Sequence, residues 1–290
     1  MLAIAIDIGG TSIKGAVIKD KVEIIDYVKV ATPDNVSTLI VDSVRDIILK
    51  FRAQYHLQDV KVGISSAGVI DEATCEVILT GPTIQNFNGT NFKSHLDDIC
   101  SELCVYNDVN AALRGELMLH PYNEDNIFCL TLGTGIGGAF YNHATGIYTG
   151  SQSRANEIGY LLYRSEDDTA YEMRASTSAL KDLMIEKDFE YETNVPKLFE
   201  RAQAGDVKAN DILNTWSKYV AEGIAQIQII YDPSLILIGG GISSQGEHLL
   251  KYIRPKVHHY LPQDYDIAPL KTTRSKNDAA LFGAISNLSE

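Results

Sequence analysis

Apolar positions along this chain follow two rhythms, and the places where one gives way to the other are punctuated by glycine. The opening run, LAIAIDIGGTSIKGAVI (Leu2 to Ile18), is a strand that enters a glycine-rich turn and leaves it in residues that again favour strand. The same device returns in IFCLTLGTGIGGAFY (Ile127 to Tyr141). After the first hairpin come a strand VEIIDYVKVAT and a helix opening at Asn35-Val36-Ser37, with Leu39, Ile40, Val44, Ile47, Ile48 and Phe51 at helical spacing. A buried strand VKVGISSAGVI follows, then the segment VILTGPTIQNFNGTNF, a short helix from His95 to Leu103, a strand CVYND ending at Asp108, and a helix from Val109 to Leu119. Beyond the second hairpin the pattern predicts a long helical region, Ser176 to Ile230, broken near Asn194-Val195-Pro196 and Gly205-Asp206. A strand from Leu235 to Ser243 carries three glycines and leads into a helix, and an amphipathic helix, NDAALFGAISNL, closes the chain.

Strands alternating with helices predict an α/β fold. A hairpin that occurs twice predicts two lobes of related plan around a cleft. We place a small N-terminal lobe at 1–116, joined by the closing helix 277–290, and a large lobe at 117–276.

Composition narrows the chemistry. The 290 residues carry a net charge of −13, without a Lys/Arg-rich run, so nucleic-acid phosphates and anionic lipid are expected to be repelled. No apolar run reaches membrane-spanning length, and the N-terminus lacks the basic flank and cleavage site of an export signal. The four cysteines, Cys75, Cys100, Cys104 and Cys129, show no C-x-x-C pair and no histidine at ligand spacing. We expect a cytoplasmic protein with reduced thiols, no structural metal, and small-molecule partners.

Two facing glycine hairpins can hold a polyphosphate, because glycine lets backbone N–H groups approach phosphate oxygens. The first offers Gly9, Gly10 and Thr11, with Lys14 as a point charge, and the second Gly133, Thr134, Gly135 and Gly137. Asp7 beside such a turn repels a nucleotide unless a cation intervenes, which implies Mg²⁺. Gly133, Gly135 and Gly138 also match the dinucleotide fingerprint, but AFYNHATGIYTG after them favours strand where the fingerprint needs a helix. Gly239, Gly240 and Gly241 either admit a flat ligand such as adenine or form a tight strand-to-helix turn. Asn107-Asp108 follows a strand: the carboxylate suits a base for phosphoryl transfer to an alcohol, and the pair equally suits a helix N-cap. Glu157 and Glu172 can each grip sugar hydroxyls or simply lie on the surface.

Together DIGGTSIKG, SSAGVI, NDVNAALRGE, TLGTGIGGA, NEIGY and LILIGGGIS resemble, in order, the ROK sugar kinases, which share the two-lobed actin-like (ribonuclease H-like) ATPase fold of hexokinases. The resemblance implies ATP and Mg²⁺, Asp108 as general base, Asn107, Glu157 and Glu172 holding the sugar ring, the Ala67-Gly68 backbone lining its pocket, and a homodimer. Most members carry a zinc cluster and E-I-G-H; here EIGYLLYRSEDDTAYE has Tyr160 for the histidine and no cysteine, so no zinc is expected. More narrowly, TPDN, GPTIQNFNGTNFK, ANEIGYLLYR, VAEGIAQIQ and SKNDAALFGA resemble zinc-less N-acetylmannosamine kinases of low-GC Gram-positive bacteria. GPTIQNFNGTNFK, with Asn86, lies where the acceptor is gripped; zinc-less relatives that phosphorylate β-glucosides share much of the pattern, and a β-glucoside kinase or glucokinase of the same family is the alternative. Sugar-responsive repressors of the family carry an extra N-terminal helix-turn-helix, whereas this chain enters its first strand at Leu2.

Overall fold

The computed structural model describes residues 1–81, 84–275 and 278–289. In chain order the elements are β1 (Leu2–Ile8), β2 (Ser12–Lys19), β3 (Glu23–Ala31), α1 (Leu39–Gln54), β4 (Lys61–Ser66), β5 (Val69–Asp71), β6 (Glu76–Leu79), α2 (Phe92–Leu96), β7 (Glu102–Asn107), α3 (Asp108–Leu119), β8 (Asn126–Leu132) and β9 (Ile136–Asn142). There follow β10 (Gly146–Ile147), α4 (Glu172–Ala175), α5 (Thr177–Glu186), α6 (Val195–Gln203), α7 (Val207–Tyr231), β11 (Leu235–Gly239), α8 (Glu247–Val257), β12 (Leu270–Thr272) and α9 (Ala279–Ala284). These fall into two compact units, Met1–Tyr122 with Thr149–Ala155 and Asn277–Glu290, and Asn123–Tyr148 with Asn156–Lys276.

Each unit is built on a five-stranded sheet, ordered β3-β2-β1-β4-β7 in the first and β10-β9-β8-β11-β12 in the second. In both, an antiparallel glycine hairpin supplies the central strand, and later strands add parallel to it: β4 on β1, β7 on β4, and likewise β11 on β8 and β12 on β11. The shared order brings the C-terminal ends of β1, β4 and β7 to one sheet edge, where open α/β sheets carry their sites. Asp7 thus lies beside Ser65, and Ser66 beside Asn107.

Strand periodicity decides what covers each face of the first sheet. Ile4, Ile6 and Ile8 join Ile40, Val44 and Ile48 of α1 in one buried cluster, whereas Ala3, Ala5 and Ala16 meet Leu281 and Ile285 at the chain's end. Small residues on that face let α9 approach closely. A Cβ on Gly63 would lie 2.2 Å from the Ala284 oxygen, one on Gly115 1.9 Å from the Ala279 oxygen, and one on Gly283 1.7 Å from the Ala111 oxygen. In the second unit Phe128, Leu130, Ile236 and Ile238 pack with Trp216, Val220 and Ile224 of α7.

Several boundaries differ from the sequence reading for local reasons. Helix α1 opens at Leu39, not at 35–37, because Asn35 Nδ2 is spent on the Asn86 carbonyl (2.9 Å) and Ser37 has φ +60°. Helix α2 spans only Phe92–Leu96, capped by Asn91 accepting from Ser94 N; residues 97–101 turn, and Glu102 and Leu103 are claimed by pairing of β7 with β4. Gly68, at φ +102°, splits VKVGISSAGVI into β4 and β5, and Gly240, at φ +84°, ends β11 at Gly239. The long helical region is three helices, interrupted by residues 187–194, where Asp188 and Glu192 take positive φ, and by residues 204–206, where Gly205 has φ +89°. Pro82 and Thr83 of the expected acceptor segment, and Asn277 at the start of the expected closing helix, lie outside the described residues.

Candidate active site

At the edge of the first sheet Asp7 is held on both carboxylate oxygens. Its Oδ2 accepts from Lys14 Nζ (2.8 Å), directly opposite on β2, and its Oδ1 accepts from Ser65 Oγ (2.9 Å). Burial works against the Lys14 ammonium, but the Asp7 carboxylate outweighs it and holds the lysine above its ordinary range. In this structure Lys14 therefore serves Asp7 rather than pointing out as an isolated charge. Gly9, Gly10 and Thr11 form the turn, which is strapped down by Thr32: its Oγ1 donates to the Gly9 carbonyl (2.6 Å) and its N–H to the Thr11 carbonyl (3.2 Å). Gly10 and Thr11 stay exposed.

Asn107 fulfils the capping role that its type allows. Its Oδ1 accepts from Val109 N (3.0 Å) and Asn110 N (3.1 Å), starting α3. Its Nδ2 donates to the Gly68 carbonyl (2.8 Å) and to Asp108 Oδ1 (3.0 Å), which also accepts from Val109 N (2.9 Å). One asparagine thus draws the Ala67-Gly68 backbone and the Asp108 carboxylate together. Gly68 is required there, because a Cβ would lie 2.6 Å from the Leu79 oxygen at a φ of +102°.

Asn86 lies elsewhere in this unit, lining a cavity of about 480 Å³ with Gly10, Thr32, Pro33, Asn35 and Gln85. Its Nδ2 donates to the Asn35 carbonyl (3.3 Å) while Asn35 Nδ2 donates to its carbonyl, a reciprocal pair that closes the 84–88 turn onto the segment after β3. Gly10 of the turn and the acceptor-segment asparagine so share one hollow.

In the second unit a cavity of about 340 Å³ is lined by Gly133, Thr134, Thr177, Ser178, Lys181 and Gly241, among others. The N-terminus of α5 is tied to this loop: Thr177 N donates to the Gly133 carbonyl (2.9 Å) and Thr177 Oγ1 to the Leu132 carbonyl (3.0 Å). A glycine turn beside a helix N-terminus offers N–H groups and a favourable dipole to an anion. The three glycines after β11 divide their labour. Gly239 packs on Thr131 and a Cβ on Gly240 would lie 2.5 Å from the Leu132 oxygen, whereas a Cβ on Gly241 would meet nothing within 4 Å. Gly137 and Gly138 fall within β9, so a strand follows the Gly133 turn and the dinucleotide fingerprint lacks its helix.

Glu157 and Glu172 lie close enough to repel one another. Burial of its carboxyl raises Glu157 above the usual glutamate range, and the Glu172 carboxylate raises it further, although the residue as a whole is exposed. Tyr160, exposed as a residue, is raised by burial of its phenol and by both carboxylates. Glu172 Oε2 accepts from Ile136 N (3.3 Å), and a Cβ on Gly135 would lie 2.6 Å from that oxygen. Gly135 therefore clears space for a carboxylate instead of lining the cavity. Among the described residues no group of three or more His, Cys, Asp or Glu side chains is placed to hold a metal ion. The lone Asp7 carboxylate, engaged on both oxygens, suits a magnesium ion that arrives on phosphates and keeps its waters.

The ROK family model matches residues 3–289. The chain belongs to the ROK family. A β-glucoside kinase of Listeria innocua is 28% identical over 97% of this ROK chain and 95% of its own. The ROK family glucokinase of Streptomyces griseus, solved with glucose and AMPPNP, superposes with a TM-score of 0.82 at 26% identity, covering 98% of both chains. A candidate N-acetylmannosamine kinase of Listeria monocytogenes shares the fold at TM-score 0.82 and 24% identity, over 98% of this chain and 97% of that one. The α/β fold is therefore that of the ROK kinases of hexokinase type.

Sequence reasoning did not find Thr177, Ser178 and Lys181 beside the Gly133 loop. A signal was present: Ser176 precedes an apolar-periodic run and its Oγ accepts from Ala179 N, a capping pattern readable without coordinates. Thr32 stands in the sequence reading only as part of the TPDN resemblance, and nothing local marks it as a strap on a turn about twenty positions away.

Proposed function

We propose that this ROK protein is an ATP-dependent sugar kinase that phosphorylates the 6-hydroxyl of N-acetylmannosamine in amino-sugar catabolism. The observation that carries the kinase reading is the constellation at the end of β7, where Asn107 holds the Asp108 carboxylate and the Gly68 carbonyl on one amide. Asp108 accepts the proton of the sugar hydroxyl as its oxygen attacks the γ-phosphorus in line; the bond from phosphorus to the β-bridging oxygen breaks, and ADP departs. Glu157 and Glu172 accept hydrogen bonds from ring hydroxyls, which orients the acceptor. Asn86 and the Ala67-Gly68 backbone complete the sugar contacts. The Gly9-Gly10-Thr11 turn and the loop of Gly133, Thr134 and Gly137 hold the phosphates, and Gly241 gives adenosine access. Asp7 would hold magnesium carried on ATP, which when bound would neutralise phosphate charge. We further propose that the protein is a cytoplasmic homodimer of two-lobed subunits; among the described residues no helix is long and apolar enough to cross a membrane.

The choice of N-acetylmannosamine is supported by GPTIQNFNGTNFK and ANEIGYLLYR. Phosphorylation of a β-glucoside or of glucose is the second reading, favoured by the β-glucoside kinase relative at 28% identity. ADP release with Mg-ATP and N-acetylmannosamine, N-acetylglucosamine, glucose or cellobiose decides between them. The highest kcat/KM is expected for N-acetylmannosamine; a preference for cellobiose or glucose would move the function to the second reading, and no sugar-dependent ADP release would remove both. Light scattering of the purified protein checks the dimer.

A further inference from the structure

Arg174 is a buried arginine, 9% exposed, whose two Nη atoms donate to three backbone carbonyls and one hydroxyl while its buried Nε finds no partner. Nη2 donates to the Leu162 carbonyl (2.6 Å), while Nη1 donates to the Thr169 carbonyl (2.9 Å), Thr169 Oγ1 (2.6 Å) and the Ala170 carbonyl (3.2 Å). These acceptors sit on the two limbs of one excursion of the chain. The outgoing limb leaves the turn Ile158–Tyr160, which begins at Glu157, and the returning limb enters α4 at Glu172. The limbs pair through Arg164 N to the Thr169 carbonyl (2.8 Å) and Tyr171 N to the Leu161 carbonyl (2.9 Å).

The residue that Arg174 holds on the outgoing limb is strained. Leu162 has φ +54°, a left-handed conformation that a branched side chain adopts only when its surroundings impose it. Its carbonyl makes one of the two shortest of the four contacts to the guanidinium. The far side of α4 is fixed independently, since Tyr171 Oη donates to the Val220 carbonyl (3.0 Å) and Trp216 Nε1 to the Ala175 and Ser176 carbonyls (3.1 and 3.0 Å). The Glu157 end is tied as well, since Tyr231 Oη donates to Asn156 Oδ1 (2.9 Å) and Ile158 is buried in the core, and Arg174 joins these two held ends through the middle of the excursion.

We propose that Arg174 is a positioning residue for sugar recognition: by clamping the Leu162 carbonyl and the Thr169-Ala170 carbonyls together it sets the spacing of the Glu157 and Glu172 carboxylates. This rests on the reading of those glutamates as sugar-binding groups. A planar guanidinium suits the task because its donors diverge in a fixed fork that a point charge cannot match. Two carboxylates that repel one another need such a clamp, and a displacement of about 1 Å at a positioning contact costs up to about a hundredfold in rate or binding.

The test is steady-state kinetics of Arg174→Lys and Arg174→Met with the preferred sugar and ATP, beside thermal melts and a Glu172→Gln control. Arg174→Met is expected to raise the sugar KM by about tenfold or more while the ATP KM stays within about twofold. Arg174→Lys is expected to fall between it and wild type, about threefold to tenfold up, because lysine keeps the charge but reaches only one limb. A merely structural role predicts lower melting temperature and less active protein with both KM values unchanged. That outcome, or a rise in both KM values together, overturns the proposal. If Arg174→Met does not fold, Arg174→Lys decides alone: a sugar KM within about twofold of wild type overturns the proposal. A Glu172→Gln variant with unchanged sugar KM would instead overturn the glutamate reading, which keeps the two failures apart.

Discussion

At the scale of single residues, the site separates groups that do chemistry from groups that make room for it. Asp108→Asn removes a proton acceptor while preserving Asn107's capping bonds, so kcat is expected to fall by about two to four orders of magnitude with ATP affinity unchanged, as single-turnover and nucleotide-binding assays would show. Gly135 makes a different prediction. A methyl at that position would press on the tip of Glu172, a movable side chain, so Gly135→Ala is expected to raise the sugar KM by about tenfold while leaving the melting temperature nearly unchanged. Asp108 is a candidate from residue type at a strand end, whereas Glu157 and Glu172 are candidates by residue type only, with the surface as the alternative, and their sugar role comes from the family resemblance. The clearance role of Gly135 could not be read from the sequence, because Glu172 is 37 positions away in the chain and meets it only through tertiary packing.

At the scale of elements, local capping and close helix approach do most of the placing. Asn107→Ala is expected to cost about 1 kcal/mol of stability through the lost cap, read as a shift in the urea midpoint, and to raise the sugar KM because Gly68 loses its tether. Gly115→Ala is the counterpart of Gly135→Ala. Its methyl would meet the Ala279 backbone 1.9 Å away, which cannot swing aside, so about 3 kcal/mol of destabilisation is expected in the same urea experiment with KM values little changed. Helix α1 shows where element reading fails. Its apolar spacing was legible, but Asn35 looked like a helix start because its preferred partner, Asn86, comes from a distant turn.

At the scale of the whole molecule, titration couples the site to stability. Burial first, and Glu172 second, hold Glu157 above its ordinary value of 4.5, so the folded state binds that proton more tightly than the unfolded chain does. The stability this confers is present below the ordinary value and is lost as pH rises through the raised one. Glu157→Gln should therefore flatten the fall in urea midpoint on going from pH 4.5 towards neutrality, leaving the parallel contribution of Glu72, which burial also raises. A variant with the wild-type slope would contradict it. Burial pushes Cys100 up to about 12 and also raises Cys75 and Cys104, so these thiols are protonated at neutral pH and should react with a disulfide reagent slowly until urea unfolds the chain. By itself the sequence determined the periods of its strands and helices, the two glycine hairpins and the chemical types at Asp7, Asp108, Glu157 and Glu172, because these depend on neighbours within a few residues. Only the tertiary structure decided that Lys14 pairs with Asp7, that Thr32 straps the first turn, that α5 meets the Gly133 loop and that Arg174 spans Leu162 and Thr169, because each joins positions whose proximity exists only once sheets and helices have packed.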